Sequence, residues 1–204
     1  MNSINKARVL FAAAIGLGLS GCISLGAAEP PESLITLSST AVAPAGSGAE
    51  TGSEGSVGAI AVLTPETPAK LDVLRVPVNV SDTEIAYLQE AVWIEKPARL
   101  FRRLLGETLR VRGGALVLDS DDTPILASQF VRGTLIDMTF DAPSGSVVVR
   151  YDAIRTNADG VVTSRRFEAR EDGISPEAAF VGPALNRAAN TVASDVADWV
   201  LSGE

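Results

Sequence analysis

The 204-residue chain contains a single cysteine, Cys22, and no histidine. One cysteine cannot form an intramolecular disulfide, and the usual zinc and copper sites need several cysteine or histidine ligands. The chain is nevertheless long enough for one domain with a substantial core. Any fold that it adopts must therefore be held together by apolar burial, and we predict a domain without a metal site.

The same absences restrict the chemistry that the chain can perform. Without histidine, neither a Ser-His-Asp nor a Cys-His site can form, and the commonest general acid–base catalyst is missing. The chain also lacks a glycine-rich phosphate loop and a dinucleotide-binding glycine motif. We therefore predict that the protein is not an enzyme and binds no cofactor, with carboxylate or Ser-Lys chemistry left formally open.

The residues before Cys22 predict an export signal. Lys6 and Arg8 precede an apolar run at residues 9–20 that is too short to span a membrane. The motif LSGC, at residues 19–22, resembles a bacterial lipobox, which implies acylation of the cysteine and cleavage before it. We therefore predict a signal peptide at 1–21 and an acylated tether at 22–32, with covalent acyl chains such as palmitate on Cys22. The alternative is an ordinary secreted protein with a free thiol.

Acylation and charge bear on the location and the partners of the protein. Two or more acyl chains hold a protein stably on a membrane. Ile23 replaces the aspartate that commonly retains lipoproteins at the inner membrane, which resembles the outer-membrane pattern and predicts an anchor on its periplasmic face. The net charge is −8 and becomes −10 when the two basic signal residues are removed. Such an acidic chain is a poor candidate for nucleic-acid binding.

Residue periodicity predicts an α+β domain over residues 33–204, with a largely antiparallel sheet and two helices packed on one of its faces. Residues 40–58 are rich in Gly and Ser and are expected to form a flexible loop. Helices are predicted after Pro97 and from Ser175 onward, with Pro183 expected to kink the second helix or to mark its true start. Strands are predicted at 34–37, 59–63, 71–80, 85–88, 116–118, 130–140, 147–155 and 161–170, the last three forming a meander.

Six residues are candidates for docking a partner. Cationic side chains along the first helix could bind an acidic partner or lipid headgroups, or could simply form its solvent-exposed face. A tryptophan before that helix could anchor an interface if exposed, or could belong to the core. The six are Trp93, Arg99, Arg102, Arg103, Arg110 and Arg112.

Other polar groups have structural interpretations that compete with functional ones. Three carboxylates near residue 120 could bind calcium or form a solvated turn, namely Asp119, Asp121 and Asp122. Charged residues on facing strands favour cross-strand ion pairs over a partner contact, namely Arg150, Asp152, Arg165 and Arg166. Asn186 and Asn190, four positions apart, favour hydrogen bonds to loop ends or to each other over a ligand site.

Several segments together resemble the ABC-type transport auxiliary lipoproteins: the lipobox, AVWIEKPARLFRRLLGETLR, VVVRYDAIR and ALNRAANTVASDVADWV. The resemblance covers roughly residues 33–204. It implies a lipoprotein that accompanies an ABC transporter and a periplasmic subunit with a mammalian-cell-entry (MCE) domain, in the transport of lipids or other hydrophobic molecules between two membranes. It also implies that residues 34–37 pair with the sheet.

Two further interpretations are open at this stage. A stand-alone lipid-binding lipoprotein would hold its ligand between sheet and helices. Assembly into homo-oligomers is also open, because an exposed strand edge can pair with a second copy.

Overall fold

The computed structural model describes residues 33–48, 58–118 and 127–202. Cys22, the tether and the three aspartates near residue 120 lie outside this part of the chain. The elements are strands β1 to β7 and helices α1 and α2, in this order: β1 Ile60–Val62, β2 Arg75–Ser81, β3 Glu84–Val92, α1 Pro97–Gly113, β4 Val117–Leu118, β5 Gln129–Asp141, β6 Ser146–Thr156, β7 Val162–Asp172 and α2 Ala178–Ser202. A 3-10 turn, Ala69–Leu71, precedes β2.

The seven strands form one mixed sheet, which agrees with the predicted α+β class. Strands β5, β6 and β7 form the predicted antiparallel meander, and β3 pairs antiparallel with β2. Strands β1 and β2 both run parallel to β5 along one of its edges, and β4 lies parallel beside β1. The sheet is thus antiparallel in its longest pairings and parallel where the N-terminal strands join it.

A bulge in β5 changes the faces that simple alternation predicts. The register between β5 and β6 shifts between Leu135 and Asp137. Before the bulge the core residues of β5 are Val131 and Leu135, and after it they are Met138 and Phe140. Simple alternation would place Asp137 on the face of Leu135, but the extra residue reverses the alternation and puts Asp137 on the opposite face.

Gly133 lies just before this bulge, at φ 157°. A Cβ atom at this position would be 1.9 Å from the carbonyl oxygen of Asp152 on β6 and 2.9 Å from the hydroxyl of Tyr151. Only glycine fits where two backbones approach so closely.

The two helices begin and end for local reasons. Pro97 occupies the first turn of α1, where the sequence predicts a helix to begin, and Gly114 ends the helix in the left-handed conformation. Helix α2 begins at Ala178, so the alternative that Pro183 marks its start is wrong. Pro183 has no backbone N–H, so α2 lacks one hydrogen bond near its beginning.

The core lies between the sheet and the helices. Its largest fully buried side chains include Trp93, Phe101, Leu105, Leu135 and Tyr151. The rings of Phe101 on α1 and Tyr151 on β6 pack with centroids 5.0 Å apart. Burial in this apolar contact raises the pKa of the Tyr151 hydroxyl far above its usual value.

Residues 33–44, which we call the strap, run across the two helices. Ile35 forms a parallel bridge with Trp93, so the segment pairs with the sheet at one residue rather than over the predicted 34–37. Its odd-numbered residues from 35 to 43 are partly buried and its even-numbered residues are exposed. The first residues of the predicted 40–58 loop therefore pack on the domain, and residues 49–57 lie outside the described part.

Candidate partner-binding surfaces

The arginines of α1 form a charged side of the helix, but most of them have nearby acidic partners. Arg103 forms an ion pair with Glu95 at 2.5 Å, and Arg110 forms one with Glu107 at 2.8 Å. Arg112 contacts Asp198 on α2. Ion pairs at this level of exposure contribute only ~0–1 kcal/mol each, so they neutralise charge more than they stabilise the fold.

The remaining members of the predicted docking set differ in exposure. Arg99 is exposed and forms no ion pair among the described residues, whereas Arg102 is half-buried and makes contacts of its own. Trp93 is only 1% exposed and belongs to the core. As placed here Trp93 cannot anchor a partner, so that part of the docking set is wrong and the core interpretation holds. Because three of its arginines have acidic partners, α1 presents isolated positive charges rather than a continuous cationic surface.

Asn186 and Asn190 on α2 hold the strap. The side-chain Oδ1 of Asn190 accepts hydrogen bonds from the backbone N–H of Thr40 at 2.8 Å and from the Thr40 hydroxyl at 3.0 Å. Its amide donates to the carbonyl oxygen of Ser38 at 2.9 Å, and Asn186 accepts from the Ser38 N–H at 2.8 Å. The two side chains thus replace a neighbouring strand, as the favoured interpretation of loop-end hydrogen bonds predicts.

Glu107 on α1 fixes the end of the strap. Its carboxylate accepts a hydrogen bond from the Ala43 N–H at 2.8 Å. This bond lowers the pKa of the Glu107 carboxyl, with Arg110 adding to the effect and partial burial opposing it. The sequence shows Glu107 only as an acid among arginines, and its role depends on a segment 64 positions away.

The sheet face opposite the helices carries a network of ion pairs. Asp137, buried at the β5 bulge, contacts Arg150 on β6 and lies 2.5 Å from Lys70. Arg150 also reaches Glu168 on β7 at 2.6 Å. The predicted cross-strand pairing is therefore present.

A second cross-strand pair extends this network towards the hairpin. Arg166 donates two hydrogen bonds to Asp152, at 2.6 and 2.7 Å, and these hold the pKa of the Asp152 carboxyl below its usual range. Cross-strand pairs of opposite charge stabilise a solvated sheet face.

Two surface clefts lie beside the C-terminal ends of the helices. One, of about 490 Å³, lies between β7 and the last turns of α2 and is lined by Arg165, Phe167, Asp195 and Trp199. The other, of about 470 Å³, lies at the end of α1, and its lining includes Val111, Ala115 and Leu116. Both clefts are open to solvent.

The described residues also limit the kinds of site that are present. Within residues 33–48, 58–118 and 127–202, no group of three or more acidic, cysteine or histidine side chains could hold a metal ion. Neither of the helices in that part of the chain is long and apolar enough to cross a membrane. The predicted calcium alternative concerns aspartates outside these residues.

The family model described as the ABC-type transport auxiliary lipoprotein component matches residues 36–197. The chain belongs to this family. The match covers the sheet, the strap from residue 36 onward and most of α2, so this part of the strap belongs to the family's domain rather than to a linker before it. This agrees with the resemblance that the sequence indicated.

Solved structures support the fold. A Xanthomonas campestris protein assigned to the family DUF330 superposes with a TM-score of 0.69 at 15% identity, covering 84% of this chain and 96% of that one. An uncharacterized protein superposes with a TM-score of 0.61, also at 15% identity, covering 70% of this chain and 91% of that one. A search of curated proteins gives no match. At such identities the likeness of this auxiliary lipoprotein to solved structures shows the fold alone.

Proposed function

We propose that this ABC transport auxiliary lipoprotein is anchored by acyl chains on Cys22 to the periplasmic face of the outer membrane. There it works with an MCE-domain subunit of an ABC transporter in moving lipids or other hydrophobic molecules between the two membranes. The observation that carries the proposal is the family match over residues 36–197.

The interior of the domain supports an interaction subunit over an enclosed carrier. Large side chains such as Trp93, Phe101 and Tyr151 occupy the space between sheet and helices. Such close packing leaves an acyl chain no room at their positions. The work of this protein is therefore assigned to its surface and its anchor.

An envelope crosslinking experiment tests the proposal. A photo-crosslinking residue is placed at Arg99 on α1 or at Arg170 on β7, both exposed. We expect one of the two to capture an MCE-domain protein identified by mass spectrometry. Capture at Arg99 would assign docking to the arginine side of α1, and capture at Arg170 would assign it to the β7 edge. Capture of no transporter subunit from either position would refute the partnership.

Cys22→Ala tests the anchor separately. Without the thiol no acyl chain can be attached, so we expect the variant to leave the membrane fraction and to lose transport function. Cys22→Ser serves as a near-isosteric control that also lacks the acylated sulfur. Full function of both unlipidated variants would contradict the proposal.

The apolar cleft at the end of α1 favours a second candidate function, lipid binding by the domain itself. Val111, Ala115 and Leu116 lie along it. Native mass spectrometry of the purified protein would then detect bound lipid. A spectrum of the bare chain alone would remove this candidate.

A further inference from the structure

The chain that follows the tether enters the domain at one edge of the sheet. The N–H of Ile35 donates to the carbonyl oxygen of Val92 at 2.8 Å, and its carbonyl oxygen accepts from Ile94 at 2.9 Å. Ile35 thereby lies beside the outer side of β3, beyond the last strand on that side of the sheet. The point of entry is therefore defined by backbone hydrogen bonds.

Four large apolar side chains are exposed around this point. Leu34 precedes Ile35, Ile94 is hydrogen-bonded to it, and Leu74 accepts a hydrogen bond from the N–H of the adjoining Trp93 at 2.7 Å. Phe180 lies two residues before Gly182, where a Cβ atom would be 3.5 Å from Ile35. The four are between 44% and 57% exposed. We call Leu34, Leu74, Ile94 and Phe180 the entry edge.

The opposite edge of the sheet has a different character. From Ile35 the order is β3, β2, β5, β6 and β7, so five strand spacings of ~4.8 Å place β7 roughly 24 Å away. The exposed residues of β7 are mostly charged, including Arg165, Arg166, Glu168 and Arg170. Its exposed apolar residues are confined to the hairpin, at Val161 and Val162.

We infer that the entry edge rests on the surface of the bilayer that carries the acyl anchor, with the β7 edge directed away from it. The inference rests on the proposed anchoring at Cys22. The links from Cys22 to Ser33 span at most about 40 Å even when fully extended, and they lead to the entry edge before any other part of the domain. Attachment at such short range raises the effective concentration of the bilayer at this edge, so that weak apolar contacts suffice.

Charge does not decide this orientation. Exposed Glu90 lies on β3, while Lys96 and Arg99 follow Ile94. The acidic Glu90 offsets the attraction of Lys96 and Arg99 to anionic headgroups, and the burial of apolar side chains remains the driving force. Vesicles of zwitterionic phosphatidylcholine with brominated acyl chains report that burial directly.

The experiment compares two tryptophan substitutions of matched exposure. Ile94 is 57% exposed at the entry edge and Val162 is 58% exposed at the far side of the sheet. The native tryptophans, Trp93 and Trp199, are buried and form a constant background. The full mature chain, carrying Ile94→Trp or Val162→Trp, is coupled through Cys22, its sole thiol, to a maleimide lipid in the vesicles.

We expect the brominated chains to quench the fluorescence of Ile94→Trp several-fold more than that of Val162→Trp. Adding Leu34→Asp and Phe180→Asp to Ile94→Trp should reduce quenching to the Val162→Trp level. Circular dichroism verifies that each variant is folded. Equal quenching in the two single variants would overturn the inference. Evidence that a second copy of the chain, rather than the bilayer, covers position 94 would also overturn it.

Chemical coupling separates this inference from the proposed function. Mass spectrometry of the native protein tests the anchoring independently, and the absence of acyl chains on Cys22 would refute it. Equal quenching in coupled vesicles with an acylated native protein would refute only the orientation.

Discussion

The side chain of Asn190 should determine whether the strap stays closed. It is 7% exposed and makes three hydrogen bonds to Ser38 and Thr40, two with their backbone and one with a hydroxyl. Each such bond contributes a net ~0.5–1.5 kcal/mol, so the three together contribute about 3 kcal/mol. Alanine regains roughly 0.5 kcal/mol through its higher helix propensity. Asn190→Ala should therefore favour opening of the strap by about 2–3 kcal/mol.

Amide hydrogen exchange measures this opening at sites that Asn190 does not contact. The N–H of Ile94 is bonded to Ile35 and the N–H of Ala43 is bonded to Glu107, so both depend on a closed strap. We expect both amides to exchange about 30- to 150-fold faster in Asn190→Ala, because each 1.4 kcal/mol corresponds to a factor of ten. Amides between β5 and β6 should keep their wild-type rates.

Thr191→Ala is the matched control. Thr191 is the next residue of α2, is exposed, and donates a hydrogen bond only to the carbonyl oxygen of Arg187 in its own helix. We expect its strap amides to exchange at wild-type rates. If Asn190→Ala also left those rates unchanged, the argument that side-chain hydrogen bonds hold the strap would be refuted.

Three further predictions concern stability. Gly133→Ala should destabilise the domain by about 3 kcal/mol or more, because the new Cβ would meet a backbone carbonyl oxygen of β6 at 1.9 Å; urea unfolding measures this, and a loss below 1 kcal/mol would contradict it. Arg155→Met should lower the free energy of unfolding by about 2–4 kcal/mol, because the Arg155 guanidinium is buried and donates to carbonyl oxygens at the end of α2. As a control, replacement of the exposed Arg165 by Met should lower it by less than about 1 kcal/mol in the same assay. The pKa of Glu107 is lowered in the folded state, so its contribution is complete above the usual carboxyl range of about 4–5 and is lost as the pH falls through the lowered pKa. The protection factor of the Ala43 amide, which is its intrinsic exchange rate divided by its observed rate at the same pH, should therefore fall on acidification in wild type but not in Glu107→Gln. The same pH profile of protection in both proteins would exclude the carboxylate as the cause.

Much of the fold could be predicted because its signals are local. Pro97 in the first turn and Gly114 after the last mark α1 by their own backbone preferences. The turns at 143–145 and 157–160 set the meander, because a tight turn pairs the strands that flank it. The parallel pairing of β1 and β2 with β5 has no such local signal, since it joins segments far apart in the chain.

The candidate surface was predictable only in part. Periodicity places the arginines of α1 on its polar side, but it does not show that Glu95 and Asp198 lie beside two of them. Trp93 precedes a helix and could belong to either a surface or a core. Its burial depends on β2 and the strap meeting around it.

The positions of the helices and of most strands, and the dependence of the fold on an apolar core, could be predicted from the sequence. These properties follow from residue order and composition, which act over a few neighbouring positions. The face reversal at the β5 bulge, the side-chain hydrogen bonds that hold the strap and the apolar entry edge appear only in the folded domain. Each depends on contacts between distant segments, such as Thr40 with Asn190, 150 positions apart, and no local pattern encodes which distant groups will meet.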